Sequence, residues 1–297
     1  MKRFALIGAA GYVAPRHLQA IQATGHTLIA GMDIRDPDGI ISQYFPAAAS
    51  FTSFEQFENY LSEQKAGGNK TDYLTVCTPN HLHNEHIRFG LKLGADVICE
   101  KPIVLDPWDV DALVEAEKQT GRNVFTILQM RLHPAARALK KMTEASSPGK
   151  RYTVNLQYIT ARGSWYHTSW KGDRKKSGGI ATNIGVHFFD LLLWVFGGVK
   201  RSKVNLHTDV AAAGELELER ADVNWQLSIE ENALPLPVKA AGKQTYRVLT
   251  IDGESFDFSE GFADLHTQSY AAILSGHGFP LVETREVIRL VQEIRSS

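Results

Sequence analysis

The 297-residue sequence has two cysteines, no excess of charge of either sign and no long apolar run. Its 32 lysines and arginines balance 33 aspartates and glutamates, so we expect neither nucleic acid nor a membrane surface as a partner. No stretch reaches the roughly 18 apolar residues of a membrane span, and the N-terminus lacks the pattern of a secretory leader. These absences predict a cytoplasmic protein.

Cysteine and metal chemistry are also sparsely represented. Cys77 and Cys99 each end an apolar run, which predicts two buried free thiols and agrees with a reducing compartment. His81, His83 and His86 lie close together, but their spacing fits no standard zinc site. We therefore predict a helix-face cluster of hydrogen-bonded histidines and no metal.

The first half of the chain alternates short apolar runs with amphipathic segments. Strands are predicted at Phe4–Ile7, Leu28–Met32, Tyr73–Cys77, Asp96–Cys99 and Asn123–Leu128, and helices at Pro15–Ala23, after the capping residue Ser53, at Leu82–Leu93, from Pro107 and at Pro134–Thr143. This alternation is typical of an α/β, doubly wound parallel sheet. Residues 1–130 are predicted to form a Rossmann domain.

Residues 131–297 have a different pattern, with longer strand-like segments and few helices. The segments are Tyr152–Arg162, Lys203–Thr208, Val223–Ile229 and Tyr246–Ile251, with one strong helix from about Ile184 to Val195 and closing helices near Leu265–Leu274 and Thr284–Arg295. They predict an α+β domain with a large, mostly antiparallel open sheet. The terminal helix is expected to pack back on the first domain.

A small-residue turn, Gly8-Ala9-Ala10-Gly11-Tyr12-Val13-Ala14, follows the first strand and opens the first helix. Small residues let the backbone approach a pyrophosphate, which the free N–H groups of the helix N-terminus can bind. The glycines are three apart instead of the usual two, so the strand–turn–helix context carries the prediction of a dinucleotide site. Asp33 ends the second strand, where a carboxylate accepts bonds from ribose hydroxyls and repels a 2′-phosphate. NAD is therefore favoured, while Arg35 leaves NADP open.

Polar residues follow the next two strands at the edge where parallel sheets bind ligands. One group is Thr78-Pro79-Asn80-His81-Leu82-His83, and the other is Glu100-Lys101-Pro102. A lysine at such a strand end can hydrogen-bond a substrate hydroxyl and lower its pKa. The alternative for Lys101 is a surface lysine paired with Glu100.

Several blocks together resemble the Gfo/Idh/MocA oxidoreductases over essentially the whole chain. They are the turn at Gly8, Asp33, Thr78-Pro79-Asn80-xx-His83, Glu100-Lys101-Pro102 and Gly178-Gly179-Ile180-xx-Asn183-xxx-His187-xx-Asp190. Four segments are similar to the subgroup of UDP-N-acetyl-2-amino-2-deoxyglucuronate 3-dehydrogenases: Phe4–Tyr12, Ile127–Pro134, Ile180–Asp190 and Gly261–Thr267. Many family members have Asp at the position of Asn183, and relatives carry a short further tail, so the C-terminus is expected to be clipped.

The resemblance implies oxidation by NAD+ of the C3 hydroxyl of a UDP-linked N-acetylated hexuronic acid (UDP-GlcNAcA). It places that reaction in nucleotide-sugar and O-antigen polysaccharide biosynthesis. In some members 2-oxoglutarate then reoxidises the NADH. Because family members pair their open sheets, the resemblance also implies a homo-oligomer, a dimer of dimers.

The resemblance also implies the site residues. Those expected at the cofactor are Gly8, Gly11, Tyr12, Val13, Asp33, Thr78, Asn80, His83, Glu100, Lys101 and Gln129, and those at the substrate are Lys101, Arg131, Tyr158, Arg162, Trp165, Lys171, Asn183 and His187. Lys101, Asn183 and His187 are expected to be catalytic, with Asn183 and His187 on one helical face. His187 titrates near neutral pH and suits the base, with Lys101 polarising the hydroxyl, although the reverse assignment stays open. Asp190 is expected to be structural.

Two other functions remain open at this point. One is a different sugar or inositol dehydrogenase, or a glucose–fructose oxidoreductase, of the same family. The other is a non-catalytic, NAD-binding sensor, against which the presence of both Lys101 and His187 argues.

Overall fold

The chain divides into two units in the computed structural model, which describes residues 1–258, 261 and 264–297. Met1–Val104 and Trp108–Gln129 belong to the first unit, and the chain returns to it in a later segment that ends at Arg285. The second unit takes Leu105–Pro107, the chain from Met130 onwards and Glu286–Ser297. The predicted division between residues 130 and 131 stays a prediction, and the return of a later segment to the first unit was not predicted.

The part of the chain before Gln129 alternates strands with helices, as predicted. Its strands are β1 (Arg3–Ile7), β2 (Thr27–Met32), β3 (Ala49–Phe51), β4 (Tyr73–Val76), β5 (Asp96–Cys99) and β6 (Val124–Thr126). Its helices are α1 (Ala14–Ala23), α2 (Asp38–Tyr44), α3 (Phe54–Ala66), α4 (His83–Leu93) and α5 (Pro107–Thr120).

All six strands of the first unit are parallel and lie in the order β3-β2-β1-β4-β5-β6. This is the doubly wound order of a Rossmann sheet. The order of the strands along the chain changes direction between β1 and β4, although the strands themselves remain parallel. Residues that favour helix ends lie at the ends of its helices. Pro15 lies in the first turn of α1, and the Ser53 hydroxyl accepts from the N–H of Gln56 at the start of α3. Gly94 ends α4 with a left-handed backbone.

The second unit also has six strands, most of which are longer than those of the first. Its helices are α6 (Pro134–Ala145), α7 (Ser164–Thr168), α8 (Arg174–Ser177), α9 (Val186–Phe196) and α10 (Leu236–Ala240), and its strands are β7 (Tyr152–Thr160), β8 (Val199–His207), β9 (Ala211–Leu218), β10 (Ala221–Ser228), β11 (Thr245–Ile251) and β12 (Glu254–Asp257). They are followed by α11 (Leu265–Leu274), which returns to the first unit, and α12 (Arg285–Arg295). The helix that returns is α11, whereas nearly all of α12 is grouped with the second unit. Packing of the terminal helix on the first domain stays a prediction.

The second sheet has the order β12-β11-β7-β10-β9-β8, and every neighbouring pair except β7 with β10 is antiparallel. The mostly antiparallel open sheet is thereby confirmed. Buried and exposed residues alternate along β7 and β10, so one face of each strand is buried. Phe189 of α9 packs edge-on against Trp225 of β10, with ring centroids 5.2 Å apart, which covers that face with a helix.

The most apolar helical stretch runs from Arg174 to Phe196. By length and composition it is the one helix of the described residues that could cross a membrane, and 78% of its apolar window is buried inside the fold. Burial of this kind is typical of a core helix, which is apolar on all sides because it packs on all sides. A π-helical turn, Ala181–Gly185, interrupts it immediately before α9.

Candidate functional site

The turn after β1 leaves no room for side chains at its two glycines. Gly8 has φ +91°, and a Cβ there would lie 2.7 Å from the carbonyl carbon and oxygen of Cys77, which follows the neighbouring strand β4. A Cβ on Gly11 would lie 2.9 Å from the Gly8 carbonyl oxygen. The glycines therefore let the turn fold tightly at the reversal point of the sheet, where a dinucleotide phosphate can approach the backbone.

Asp33 secures this turn from the end of β2. Its carboxylate accepts a hydrogen bond from the Ala10 N–H at 3.1 Å and another from the Arg35 N–H at 3.0 Å. The Arg35 guanidinium donates to the Ala10 carbonyl at 2.6 Å, so both side chains contact the same turn residue. Val13 is the N-cap of α1, and Tyr12 is 85% exposed beside it.

The residues after β4 are held by histidines of α4. The His83 ring lies between two carbonyl oxygens, with Nδ1 at 2.7 Å from that of Pro102 and Nε2 at 2.9 Å from that of Thr78. His86 Nδ1 lies 3.0 Å from the Thr78 hydroxyl, and Asn80 is buried nearby. Burial lowers the pKa of His83, against the raising effect of the two carbonyls, and burial lowers the pKa of His86 to about 4.

The predicted histidine cluster is therefore present for His83 and His86, both hydrogen-bonded on α4. His81 differs, because it lies in the preceding 3₁₀ turn and is exposed. The two cysteines are buried free thiols, as predicted. Burial raises the pKa of both thiols, so they remain protonated, and Cys77 Sγ–H donates to the carbonyls of Ile7 and Gly8 beneath the turn.

Glu100, directly after β5, is the centre of a buried network that the sequence did not predict. Its Oε1 accepts from His17 Nε2 at 3.1 Å and from His266 Nε2 at 2.8 Å, and its Oε2 accepts from the Lys101 backbone N–H at 3.3 Å. Burial alone would raise the pKa of Glu100, but the hydrogen bonds from His17 and His266 hold it well below its usual range. Glu100 is therefore a buried carboxylate whose charge depends on two histidines.

The chain of hydrogen bonds continues from His17 into the core. His17 Nδ1 lies 2.9 Å from the Tyr270 hydroxyl, which in turn lies 2.9 Å from the Thr75 hydroxyl. Because the carboxylate can only accept, His17 donates through Nε2, and burial lowers its pKa and keeps the ring neutral. Tyr270 then donates to Nδ1 and Thr75 donates to Tyr270, so every donor in this chain has an acceptor.

His17, Glu100 and His266 also form the one group of possible metal ligands found among the described residues. Their ligand atoms lie within 4.8 Å of one another. Hydrogen bonding already uses these atoms, since both Nε2 groups address the same carboxylate oxygen. The absence of a metal stays a prediction.

A sequence signal for His17 was available in α1. Ala14, Leu18 and Ile21 form the buried face of this helix, and His17 occupies a position on the same face. A polar side chain at a core position requires a buried partner. The sequence does not indicate which partner, because Glu100 and His266 lie 83 and 249 residues further along the chain.

In the second unit, Asn183 and His187 lie on successive parts of the apolar helix. Asn183 is in the π-helical turn and donates through Nδ2 to the Tyr166 hydroxyl at 2.9 Å, while His187 follows in the first turn of α9 and is half-buried. Burial raises the pKa of Tyr166. The regular i,i+4 geometry that the sequence predicted is replaced by a wider π turn, a feature frequent at functional sites.

Arg131 and Asp190 form a buried ion pair in this unit. Arg131 donates from Nε at 2.9 Å and from Nη2 at 2.7 Å to the two carboxylate oxygens, and both side chains are buried. Such a bidentate pair fixes the planes of both groups. The structural role expected of Asp190 agrees with this pair, while the predicted contact of Arg131 with a substrate stays a prediction.

The remaining predicted substrate residues surround an aromatic segment at α7. The Arg162 guanidinium carbon and Lys171 Nζ lie 5.7 and 5.6 Å from the ring centroid of Trp165, which is 48% exposed. Arg162 Nε is buried with no hydrogen-bond partner within the described part of the chain. Tyr158, in contrast, is buried in β7 against Phe188. The structure thus groups Arg162, Trp165 and Lys171 as a cationic and aromatic cluster and places Tyr158 in the core.

Lys101 and Gln129 complete the residues predicted in the first unit. Lys101 follows β5 at the strand edge shared with Gly8 and Thr78, and the Lys101–Pro102 peptide is cis. Gln129 is buried, and its Oε1 has no hydrogen-bond partner among the described residues. The predicted cofactor residues therefore lie in one unit, while Asn183 and His187 lie in the other.

The chain belongs to the Gfo/Idh/MocA oxidoreductase family. The family's NAD-binding Rossmann fold matches residues 2–127, and its C-terminal alpha/beta domain matches residues 147–234. The first unit is thereby the NAD-binding domain. Of the segment Gly261–Thr267, which resembles the subgroup, Phe262 and Ala263 lie outside the described residues.

Within the family, the chain is similar to solved WlbA (WbpB) dehydrogenases. The enzyme from Thermus thermophilus in complex with NAD and alpha-ketoglutarate is 48% identical, covers 100% of this chain and 95% of its own, and superposes with a TM-score of 0.97. Its complex with NAD and UDP-GlcNAcA is also 48% identical, covers 99% and 95%, and gives 0.96. The WlbA dehydrogenase from Bordetella pertussis, at 21% identity, covers 100% and 95% with a TM-score of 0.81 and shares the fold.

Curated relatives match more distantly. The 2,7-anhydro-N-acetylneuraminate hydratase of Mediterraneibacter gnavus is 31% identical over 52% of this chain and 41% of its own length. The chain spans about half of the length of the curated relatives that it matches.

Proposed function

We propose that this chain is an NAD-dependent dehydrogenase that oxidises the C3 hydroxyl of UDP-GlcNAcA to a ketone. The observation that carries the proposal is the full-length similarity, at 48% identity, to a dehydrogenase solved with NAD and UDP-GlcNAcA. The other dehydrogenases of the family share the fold with this chain at lower identity. The similarity thus favours a nucleotide-linked sugar acid over inositol or a free sugar.

The first unit offers the features that NAD requires. The tight Gly8 turn supports the close approach of a phosphate, and the Asp33 carboxylate beside this turn supports bonds from ribose hydroxyls. The unpartnered, buried Oε1 of Gln129 is an acceptor in need of a donor group. NAD+ bound there supplies a hydride acceptor, and the chain's own residues supply orientation and charge. The proposal also includes direct contacts with the cofactor from five other residues, Tyr12, Thr78, Asn80, His83 and Glu100.

Lys101 and His187 carry the proton chemistry in this proposal. Lys101 donates a hydrogen bond to the C3 oxygen and stabilises the charge that develops on it, while His187 accepts the hydroxyl proton through an imidazole nitrogen. Asn183, held by Tyr166, orients the sugar. The reversed assignment of base and polarising group predicts the same loss of activity for either single variant.

The anionic parts of the substrate need cationic partners. Arg162 and Lys171 flank Trp165, a ring exposed enough to stack on a base or sugar. The buried, unpartnered Nε of Arg162 supports a bond to a phosphate or carboxylate oxygen. Arg131 is already paired with Asp190, so we assign it a smaller share of the binding than Arg162.

Incubation with NAD+ and UDP-GlcNAcA tests the activity. We expect NADH absorbance to increase and the product to be lighter than the substrate by two hydrogens. When 2-oxoglutarate is present, it accepts the hydride and a proton and becomes a 2-hydroxy acid, and we expect the product to form faster. Lys101→Ala and His187→Ala should each lower kcat by about 10²–10⁴-fold. Lys92→Ala, a surface lysine variant of α4, is the control. Turnover of inositol or free sugars in place of UDP-GlcNAcA would contradict the proposal.

The wider context belongs to the same proposal. A 3-keto UDP-sugar acid is a precursor for amination, which places the enzyme in cytoplasmic nucleotide-sugar biosynthesis for O-antigen polysaccharide. We propose a homotetramer built as a dimer of dimers through the open sheet. Light scattering of the purified protein measures the oligomer directly, and a monomer would contradict this part.

A further inference from the structure

Three histidines attach the Glu100–Lys101–Pro102 segment to the rest of the first unit. Within the segment, the Lys101 N–H donates to the Glu100 carboxylate. That carboxylate accepts from His17 and His266, and the Pro102 carbonyl lies 2.7 Å from His83 Nδ1. Only the last of these partners belongs to α4. The other two come from α1 and α11, which contact each other.

We propose that His17 and His266 are positioning residues for Lys101: they fix the buried Glu100 carboxylate, which holds the Lys101 backbone at the end of β5. The proposal rests on the proposed function, in which Lys101 contacts the substrate. His17 lies outside the segments by which the chain resembles its family, and His266 lies within Gly261–Thr267, where the resemblance assigned it no role. Both are defined as functional candidates by their contacts alone.

Geometry supports positioning over simple filling of the core. Both Nε2 groups converge on one oxygen, Oε1, which leaves Oε2 to accept from Lys101. With either donor lost, the carboxylate can rotate about its last side-chain torsion and release the Lys101 N–H. A displacement of 1 Å at a reacting group can lower a rate by about 10²-fold, so a modest rotation has a measurable effect.

The same network connects Lys101 to the dinucleotide turn. His17 lies in the first turn and a half of α1, the helix that the Gly8 turn opens, and its ring is fully buried. The edge of the His17 ring also meets the His266 ring, with centroids 5.0 Å apart at 86°. The helix that the Gly8 turn opens and the segment that follows β5 are thus joined through one carboxylate.

Substitution of His266 separates a positioning role from a structural one. His266→Leu removes the donor, whereas His266→Gln keeps an N–H donor at a similar distance from the backbone. We expect His266→Leu to lower kcat with UDP-GlcNAcA by roughly 10- to 100-fold, with KM for NAD changed by less than about 2-fold, and His266→Gln to recover most of kcat. His277→Gln, an exposed histidine just after α11, is the matched control and should retain wild-type kcat.

A readout without turnover keeps this inference independent of the substrate. In crystal structures of the cofactor-free variants, we expect Glu100 and the Lys101 backbone to be displaced in His266→Leu and unchanged in His266→Gln. Imidazole nitrogen NMR of the wild-type protein should show a proton on Nε2 of both His17 and His266. If wild-type protein fails to oxidise UDP-GlcNAcA but these structural results hold, the proposed substrate is wrong and the network stands.

Three results would overturn the inference. One is a His266→Leu protein that is less stable but keeps wild-type kcat when folded, which indicates a structural role only. Another is an unmoved Lys101 in the His266→Leu crystal structure. The third is stoichiometric zinc in the purified protein bound through His17 and His266, which would make the cluster a metal site.

Discussion

The two units each bury a carboxylate, and they neutralise it in different ways. In the second unit, Asp190 faces the permanently charged guanidinium of Arg131 in a bidentate pair. In the first, Glu100 accepts hydrogen bonds from the ring nitrogens of His17 and His266, and burial lowers the pKa of His17. The Arg–Asp pair fixes both groups through two parallel hydrogen bonds, whereas the two imidazoles converge on one carboxylate oxygen and leave the other to accept from the Lys101 N–H.

The difference matches the position of each carboxylate. Asp190 lies on the apolar helix α9, one turn after His187, and its pairing with Arg131 anchors the helix beside that residue. Glu100 is adjacent to Lys101 and shares its backbone. The ion pair thus stabilises a helix, whereas the histidine network holds the backbone next to Lys101, which we propose to be catalytic.

The largest expected effect comes from breaking the fixed pair. Asp190→Asn leaves the Arg131 charge buried without its counter-ion, and we expect the free energy of unfolding to fall by about 3–5 kcal/mol. Urea denaturation at pH 7.5 measures it. Asp209→Asn, which removes an exposed partner of Arg174, is the control and should change stability little. A small loss for Asp190→Asn would show that Arg131 finds another partner.

Lowering the pH should weaken the first unit through its histidines. The pKa of His86 is about 4 in the folded protein against 6.5 for an unperturbed histidine, so the unfolded chain binds more protons between these values. The contribution of neutral, buried His86 to the free energy of unfolding is fully present above pH 6.5 and is lost as the pH falls towards 4. Burial also lowers the pKa of His17, which acts in the same direction. At pH 5 we expect His86 to account for a loss of about 2 kcal/mol.

Denaturation curves at pH 7.5 and pH 5 measure this loss. His86→Gln should flatten the difference between the two curves, because the variant no longer binds the extra proton when unfolded. Asp190→Asn should keep the wild-type difference, since Arg131 does not titrate in this range. An equal pH dependence in wild type and His86→Gln would remove His86 from the explanation.

A smaller effect is expected at the far end of the Glu100 network. Thr75→Val keeps the shape of the side chain but removes the hydroxyl that donates to Tyr270, and we expect a loss of about 1 kcal/mol. The remaining chain from Tyr270 to Glu100 stays intact, so kcat should be unchanged. Thermal denaturation and steady-state kinetics check the two halves of this prediction. A large fall in kcat would extend the positioning network to Thr75.

The smallest effect is expected for an exposed ion pair, which unlike Asp190 with Arg131 or Glu100 with its histidines is not buried. Arg289 and Glu293 lie four residues apart on the exposed side of α12 with 3.0 Å between Nε and Oε1. Glu293→Gln should lower the free energy of unfolding by less than about 0.5 kcal/mol, because water screens the pair. Urea denaturation at low and high salt measures this contribution. If the pair contributes more, the difference in unfolding free energy between wild type and Glu293→Gln should be larger at low salt.

Local sequence signals predicted the elements whose pattern is strong. β5 at Asp96–Cys99 and α11 at Leu265–Leu274 have the predicted bounds, since an apolar run or a continuous apolar helical face is readable by itself. β9 was missed because Ala211–Leu218 is rich in alanine, glutamate and leucine, which favour helices. Here the pairing with β8 and β10 overrides the propensity.

Four further elements have sequence patterns too weak to predict them. β3 has three residues and β12 four, too short for periodicity to distinguish them from loops. α2 begins within a polar segment after Pro37 and buries Ile41 alone. The π turn before α9 also has no periodic signature, since its sequence continues the apolar run.

The sequence by itself determined the dinucleotide turn, the carboxylate at Asp33 and the polar strand ends at Lys101. These features depend on residues next to one another in the chain, where the required backbone restricts which side chains fit. Only the tertiary structure decided the partners of Glu100, because His17 and His266 reach it through the packing of α1 and α11. A hydrogen bond between buried side chains depends on which helices pack together, and a linear sequence contains no local trace of that packing.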